Sequence, residues 1–262
     1  MPVHALTPRF LEKIWGSQHL LPWFPDASSK IGEVWLEGPQ GEALPLLIKF
    51  LFTTEALSVQ VHPKDEYARA NHDSNGKTEM WYILRTSPGA RIALGLKRAF
   101  TPEELREASQ TGSIEEHLNW IDVSPGETYF VPAGTIHAIG AGVALCEIQQ
   151  QSDVTYRLYD YHRPRQLHLD HAMKVSDLRA YERPRKPVGV LVECPYFRTQ
   201  RLVVRRPVAV PGDGPQWLIC LEGEGAIGEL NYGPGKAFEV TGDQSVRIHS
   251  AGSSVFLRTS VP

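Results

Sequence analysis

Cysteine is scarce. The 262 residues hold three, Cys146, Cys194 and Cys220, far apart and odd in number. No Cys-x-x-Cys occurs, so a disulfide scaffold and a thiolate zinc site are both disfavoured. Free thiols suit a reducing compartment, and a cytoplasmic address is expected. An excess of one charge is also missing. Lys and Arg total 27, Asp and Glu 30, and the formal net charge is −3. That balance argues against a general nucleic-acid binder and against a polybasic membrane-surface protein. There is no long apolar run. The richest, Leu44–Phe52, is short and broken by Pro45 and Lys49, so no membrane span fits. Met1-Pro2-Val3-His4 shows no basic start before an apolar block, and no signal peptide is expected.

Glycine (22) and proline (20) punctuate the chain often. Between them lie short runs rich in β-branched and aromatic residues. In the first part these are Ile31–Leu36, Leu57–His62, Met80–Leu84, Arg91–Leu94, Thr128–Val131 and Val143–Gln149. Later come Val188–Val192, Arg198–Val204, Gln216–Leu221, Ala237–Val240, Ser245–Ile248 and Ser254–Leu257. Many short strands with few helical patterns between them predict an all-β sandwich or barrel. One helical insert interrupts them. Thr101-Pro102-Glu103-Glu104 reads as an N-cap, a proline at the first helical position and a capping-box glutamate, with the helix reaching about Ser109. Shorter helices are expected over Ser113–Asn119 and Pro63–Asn71.

Tyr181–Pro187, basic and proline-containing, reads as a linker between two halves. The halves share a pattern. Pro125-Gly126 is followed by Val131 and Gly134, and Pro234-Gly235 by Val240 and Gly242. Two related units are therefore expected, an N-terminal one over 1–180 and a C-terminal one over 188–262. His137 and Val246 each stand 11 residues after their glycine. Valine ligates no metal, so the second unit should carry no metal site.

Four clusters carry chemistry. In Ser58-Val59-Gln60-Val61-His62, strand alternation puts Gln60 and His62 on one face. A lone strand histidine is more often a hydrogen-bonded structural residue. In Lys77-Thr78-Glu79-Met80, Lys77 and Glu79 share a face just before an apolar strand. A carboxylate there needs a partner, and an ion pair between the two is the simple alternative. The third cluster, Gly126 to His137, has the spacing G-x5-P-x-G-x2-H. It resembles the second motif of the cupin superfamily, in which the Pro-x-Gly turn aims the histidine inward. Ala141 stands where that motif usually has asparagine. Gln60-Val61-His62 replaces the usual His-x-His, and Glu79 follows 17 residues after His62. Gln60, His62, Glu79 and His137 would then converge on one metal. Two histidines, a carboxylate and an amide oxygen suit Zn2+, and are compatible with Fe2+ or Mn2+.

In the fourth cluster, Glu147 shares a strand face with Val143 and Leu145, an odd place for a carboxylate unless it meets a cavity. Arg157 and Arg163 flank a tyrosine-rich stretch. Arginines beside a metal suit a phosphorylated or carboxylated substrate. The alternative is that Arg157 pairs with Asp153 or Asp160 as a strut.

Together and in this order, the clusters resemble the type I mannose-6-phosphate isomerases, also called phosphomannose isomerases, in their compact bacterial branch. The matching text is Lys30–Trp35, Pro45–Phe50, Leu57–Pro63, Gly76–Tyr82, Gly126–His137, Glu147–Gln150 and Tyr156–Asp160, within about residues 10 to 175. The resemblance implies two cupin-type jelly-roll units and one zinc ion per chain held by Gln60, His62, Glu79 and His137. It implies Arg157 as the catalytic arginine, with Lys77 and Glu147 lining the same pocket. It places Lys49, Ser58 and Arg163 near the substrate phosphate. The implied activity is interconversion of mannose 6-phosphate and fructose 6-phosphate, by a monomer or weak homodimer. Three competing readings are an isomerase of another sugar phosphate, a non-catalytic sugar-phosphate sensor and an iron-dependent dioxygenase. Intact ligands and Arg157 disfavour the sensor. Arg157, Arg163, Lys49 and Lys77 disfavour the dioxygenase.

Overall fold

A computed structural model describes residues 3–185, 187–242 and 244–262. Four antiparallel sheets make two sandwiches. The first sandwich has a six-stranded sheet in the order Thr7–Ser17, Ile31–Glu37, Leu46–Phe52, Val143–Gln150, Glu79–Thr86 and Thr128–Val131. Facing it is a five-stranded sheet in the order Tyr156–Tyr159, Val59–Val61, His137–Ile139, Arg91–Leu96 and Leu118–Asp122. The second sandwich also has a six-stranded sheet: Val3–Ala5, Ala237–Val240, Gln216–Glu222, Ser254–Ser260, Arg198–Val204 and Val192–Glu193. Its four-stranded partner is Val208–Val210, Val246–Ser250, Gly225–Ile227 and Leu230–Tyr232. The order Val143–Gln150, Glu79–Thr86, Thr128–Val131 recurs as Ser254–Ser260, Gln216–Glu222, Ala237–Val240, so the repeat seen in the sequence is a repeat of topology.

Strand alternation explains the three central strands of the first large sheet, which are buried on both faces. One face carries Ile48, Phe50, Phe52, Met80, Tyr82, Ala144, Cys146 and Ile148. This face packs against Phe197, Trp217, Ile219, Leu221 and Leu257 of the second sandwich. The other face points into the first sandwich. There Leu51, Trp81, Ile83 and Leu145 meet Ile92, Leu94 and Ile139 of the small sheet. Lys49, Glu79 and Glu147 share that inner face, which is why polar residues interrupt apolar strands. A third core lies between the small sheet and the helices, joining Leu105, Ala108, Ile114 and Ala172 to Val61, Leu158 and Tyr159.

The insert helix runs Pro102–Thr111. Its capping box is complete: Thr101 Oγ1 accepts from the Glu104 N–H, and Glu104 returns the bond to the Thr101 N–H. A single helical turn follows at Ile114–His117, and Asp65–His72 forms the expected helix after His62. The sequence pattern does not announce the helix Leu169–Val175 or the strand Thr7–Ser17. The expected strand Val188–Val192 shrinks to Val192–Glu193, and Val188 is fully exposed.

The two sandwiches are held closely. The N-terminal strand Val3–Ala5 pairs with Ala237–Val240 of the second one. Trp23 Nε1 donates to the Leu221 carbonyl at 3.0 Å. Gly235 has φ +82°, and a Cβ there would fall 2.0 Å from the Trp23 oxygen, so only glycine fits. Ending the chain after Pro187 would bare Ile48, Phe50, Phe52 and Ile148. Each such side chain is worth about 1.5–3 kcal/mol when buried, against about 5–15 kcal/mol for a whole domain. The truncated protein is expected to be insoluble. A soluble, fully active product in a sedimentation and activity assay would show that the first sandwich needs no cover.

Candidate active site

The turn Pro132–Thr135 leads into the strand that begins at His137. The Thr135 N–H donates to the Pro132 carbonyl at 3.1 Å, and Gly134 takes φ +93°. That is a type II turn, whose third position requires a positive φ. The Gly134 N–H donates to the His62 carbonyl at 2.8 Å, tying the turn to the second histidine. His137 opens the next strand directly opposite Gln60, and side chains of such a pair point the same way. Glu79 comes from the facing sheet, where it pairs with Gln149 and Val131.

His62, Glu79 and His137 are almost fully buried, and one ligand atom of each lies within 4.8 Å of the others. His62 Nδ1 donates to the Val154 carbonyl at 3.0 Å and His137 Nδ1 to the Thr135 carbonyl at 2.9 Å. Each ring therefore turns its Nε2 lone pair inward, the second-sphere device that orients metal-binding histidines. Those nitrogens lie 3.5 and 3.4 Å from the two Glu79 oxygens. Burial keeps both rings neutral. It holds His62 well below its ordinary pKa and His137 at about 4.

Lys77 donates to His62 Nε2 at 2.8 Å, and the Gln60 amide nitrogen lies 3.2 Å from His137 Nε2. Turning that amide over presents its oxygen to the same point. Lys77 Nζ is 3.0 Å from Glu79 Oε2 but off the direction a hydrogen bond needs, so that buried oxygen accepts none. Two inward lone pairs, an unsatisfied carboxylate oxygen and a reversible amide fit a metal ion. Among the described residues this is the one group of His, Cys, Asp or Glu able to hold a metal. Val246 is buried at the matching position of the second sandwich.

From this centre a line of alternating charge crosses the inner face. Glu147 Oε1 lies 3.8 Å from Lys77 and 3.2 Å from Lys49. Lys49 lies 3.7 Å from Glu33, which reaches Lys13 at 3.5 Å. Trp35 Nε1 donates to Glu33 at 2.6 Å. Burial, then the charge of Glu79, raises the Glu147 carboxyl to about 7, against the pull of Lys49 and Lys77. Burial also opposes ionisation of Glu33, but Lys49 and Lys13 prevail and hold it at about 2.

A cavity of about 260 Å³ opens over these groups. Gln60, Ser58, Lys49, Lys77, Glu79, Glu147 and Arg157 all line it. Arg157 pairs with neither Asp153 nor Asp160. Its Nη1 donates to the Gln166 carbonyl at 2.6 Å, and its buried Nε has no partner. Burial, then the charge of Arg165, lowers its pKa. Arg163 is not among the lining residues. Its guanidinium donates to Asp160 Oδ1 at 2.7 Å and to the Ala56 carbonyl at 2.8 Å. Arg165 does line the cavity, and its guanidinium donates to both Asp160 oxygens. The sequence reading passed over Arg165 and Glu33. Glu33 has a readable signal, a carboxylate inside an apolar strand. Arg165 has none, because its loop has no period.

Two cupin-type sandwiches with a buried His/Glu/His cluster able to hold a metal define a protein of the cupin class. Residues 25–84 match the family model described as phosphomannose isomerase type I, catalytic domain. Mannose-6-phosphate isomerase ManA of Bacillus subtilis is 38% identical over 212 residues, covering 74% of this chain and 67% of that one. The "Probable mannose-6-phosphate isomerase GmuF" of the same organism is 34% identical, covering 79% and 81%. The crystal structure of a mannose 6-phosphate isomerase from Bacillus subtilis superposes with a TM-score of 0.87 at 28% identity, covering 99% of both chains. The chain belongs to the type I mannose-6-phosphate isomerase family.

Proposed function

We propose that the protein interconverts mannose 6-phosphate and fructose 6-phosphate through an enediol, with Zn2+ held by Gln60, His62, Glu79 and His137. One observation carries this reading: Glu79 of the metal-ligand group, with Gln60, reaches the cavity that Lys77, Glu147 and Arg157 line. Held by those residues, Zn2+ would supply Lewis-acid polarisation of the sugar carbonyl. The protein's own groups do the rest. Glu147 carries the proton between C1 and C2, since it lines the cavity and its buried Oε1 accepts no hydrogen bond. Lys49 and Lys77 flank it and favour its ionised form against burial. Arg157 donates to the enediolate oxygen as charge develops.

The phosphate belongs at the open side. Arg165 has 31% of its side chain exposed, against 5% for Lys49 and 4% for Lys77. Arg163 stands one layer back and holds Asp160, which holds Arg165. Ser58 Oγ lies 3.2 Å from Gln60 Oε1, and with the amide turned over it accepts from Nε2 instead. No helix among the described residues is long and apolar enough to cross a membrane. We further propose a cytoplasmic enzyme, a monomer or weak homodimer, which sedimentation at several protein concentrations tests.

A coupled assay with mannose 6-phosphate tests the activity. Turnover is expected to vanish on chelation and return with Zn2+. Absence of isomerisation by zinc-loaded protein would overturn the proposal. Glu147→Gln is expected to lower kcat by about 10²–10⁴ while zinc content is kept, the usual range for a lost acid–base group. Undiminished kcat would move the proton transfer to another group.

A further inference from the structure

The strand Tyr156–Tyr159 carries Arg157 and is the edge of the five-stranded sheet. Such an edge leaves backbone N–H and C=O groups without a strand partner. At Arg157 a single residue closes it. The Arg157 N–H donates to His168 Nδ1 at 3.1 Å, and the His168 N–H donates to the Arg157 carbonyl at 2.8 Å. The two bonds copy the pairing of an antiparallel neighbour, with an imidazole nitrogen standing for a carbonyl oxygen. On the inner side Arg157 faces Gln60. Both polar groups of its backbone point to His168, so this is a non-hydrogen-bonded pair, in which side chains come closest. The Gln166 carbonyl, two residues before His168, takes the bond from Arg157 Nη1.

This loop is itself anchored. The His168 carbonyl accepts from the Ala172 N–H at 2.9 Å, the first turn of the helix Leu169–Val175. Ala172 packs with Leu105 and Ala108 of the insert helix. Arg106 and Asp170 join the two helices at 2.6 Å. Burial, then the Arg157 charge, keeps His168 below its ordinary pKa, which suits an acceptor.

We propose that His168 is a positioning residue for Arg157, fixing the backbone from which the guanidinium reaches the cavity. The proposal rests on the role given to Arg157 above. Asparagine places Oδ1 the same number of bonds from Cα as Nδ1, whereas leucine offers no acceptor. The experiment measures kcat, KM, zinc content and melting temperature for His168→Leu and His168→Asn, each with Arg157 intact and with Arg157→Ala.

His168→Leu is expected to lower kcat roughly 10- to 100-fold, the cost of a misplacement on the order of 1 Å, with KM and zinc nearly kept. His168→Asn should recover most of that loss. In the Arg157→Ala background His168→Leu should change kcat no further. Equal fold-losses in both backgrounds, or an asparagine no better than leucine at equal melting temperature, would overturn the proposal. If His168→Leu is insoluble, His168→Gln serves, since its acceptor lies one bond too far. Unchanged kcat in Arg157→Ala would instead remove the role of Arg157. An impaired Arg157→Ala beside a fully active His168→Leu overturns the positioning alone.

Discussion

His137→Ala is expected to abolish zinc content and turnover together. The side chain supplies one of two inward Nε2 lone pairs, and its Nδ1 bond to the Thr135 carbonyl fixes that direction. Without it, Glu79 and His62 remain almost fully buried with too few donors for an ion. His62→Ala should behave alike. Gln60→Ala should weaken metal binding less, since a neutral amide oxygen is the poorest of the four ligands. Elemental analysis is the decisive measurement, with melting curves before and after chelation beside it. Ion binding to the native state alone raises stability by mass action, so the native protein should lose melting temperature on chelation and His137→Ala should not. Full zinc occupancy in His137→Ala would sink the ligand assignment.

Arg157→Ala is expected to lower kcat by about 10²–10³, the range for one lost oxyanion donor, and to raise KM much less. The structure favours this over the strut reading. Among the described residues no carboxylate lies within ion-pair distance of Arg157, while Asp160 is engaged by Arg163 and Arg165. Removing Arg157 therefore breaks no salt bridge. Arg157→Lys should rescue poorly, because a point charge cannot reproduce the planar fork. Arg163→Ala makes the contrast. It loosens Asp160 from the Ala56 loop, so it should lower the melting temperature first and weaken phosphate binding only through Arg165. A sharp stability loss in Arg157→Ala with kcat retained would restore the strut.

Much of the site was readable from the residues because its elements are strands and a turn. Period-two alternation puts Gln60 beside His62, and Glu147 on a face where a carboxylate is out of place. The Pro-x-Gly spacing places His137 next to them, since Gly134 has to adopt the positive φ that aims the following strand. The capping box at Thr101 predicted the insert helix from four residues, because a cap is a local contest for backbone hydrogen bonds. The helix Leu169–Val175 was not legible. It is short, its first residue follows an uncapped His168, and its stability comes from packing on Tyr156–Tyr159 rather than from its own pattern.

Local chemistry, read in order along the chain, thus settled the strand-rich architecture and the capped insert helix, and it singled out His62, Glu79 and His137, which the fold gathers into a cluster able to hold a metal. Long-range packing settled the rest. It decided that Val3–Ala5 would join the far sheet, that Arg165 rather than Arg163 would line the cavity, and that His168 would close the edge beside Arg157. None of these has a sequence signature, for one physical reason. Each depends on which backbone groups remain unpaired once the sheets have stacked, and that is known only after distant strands have met.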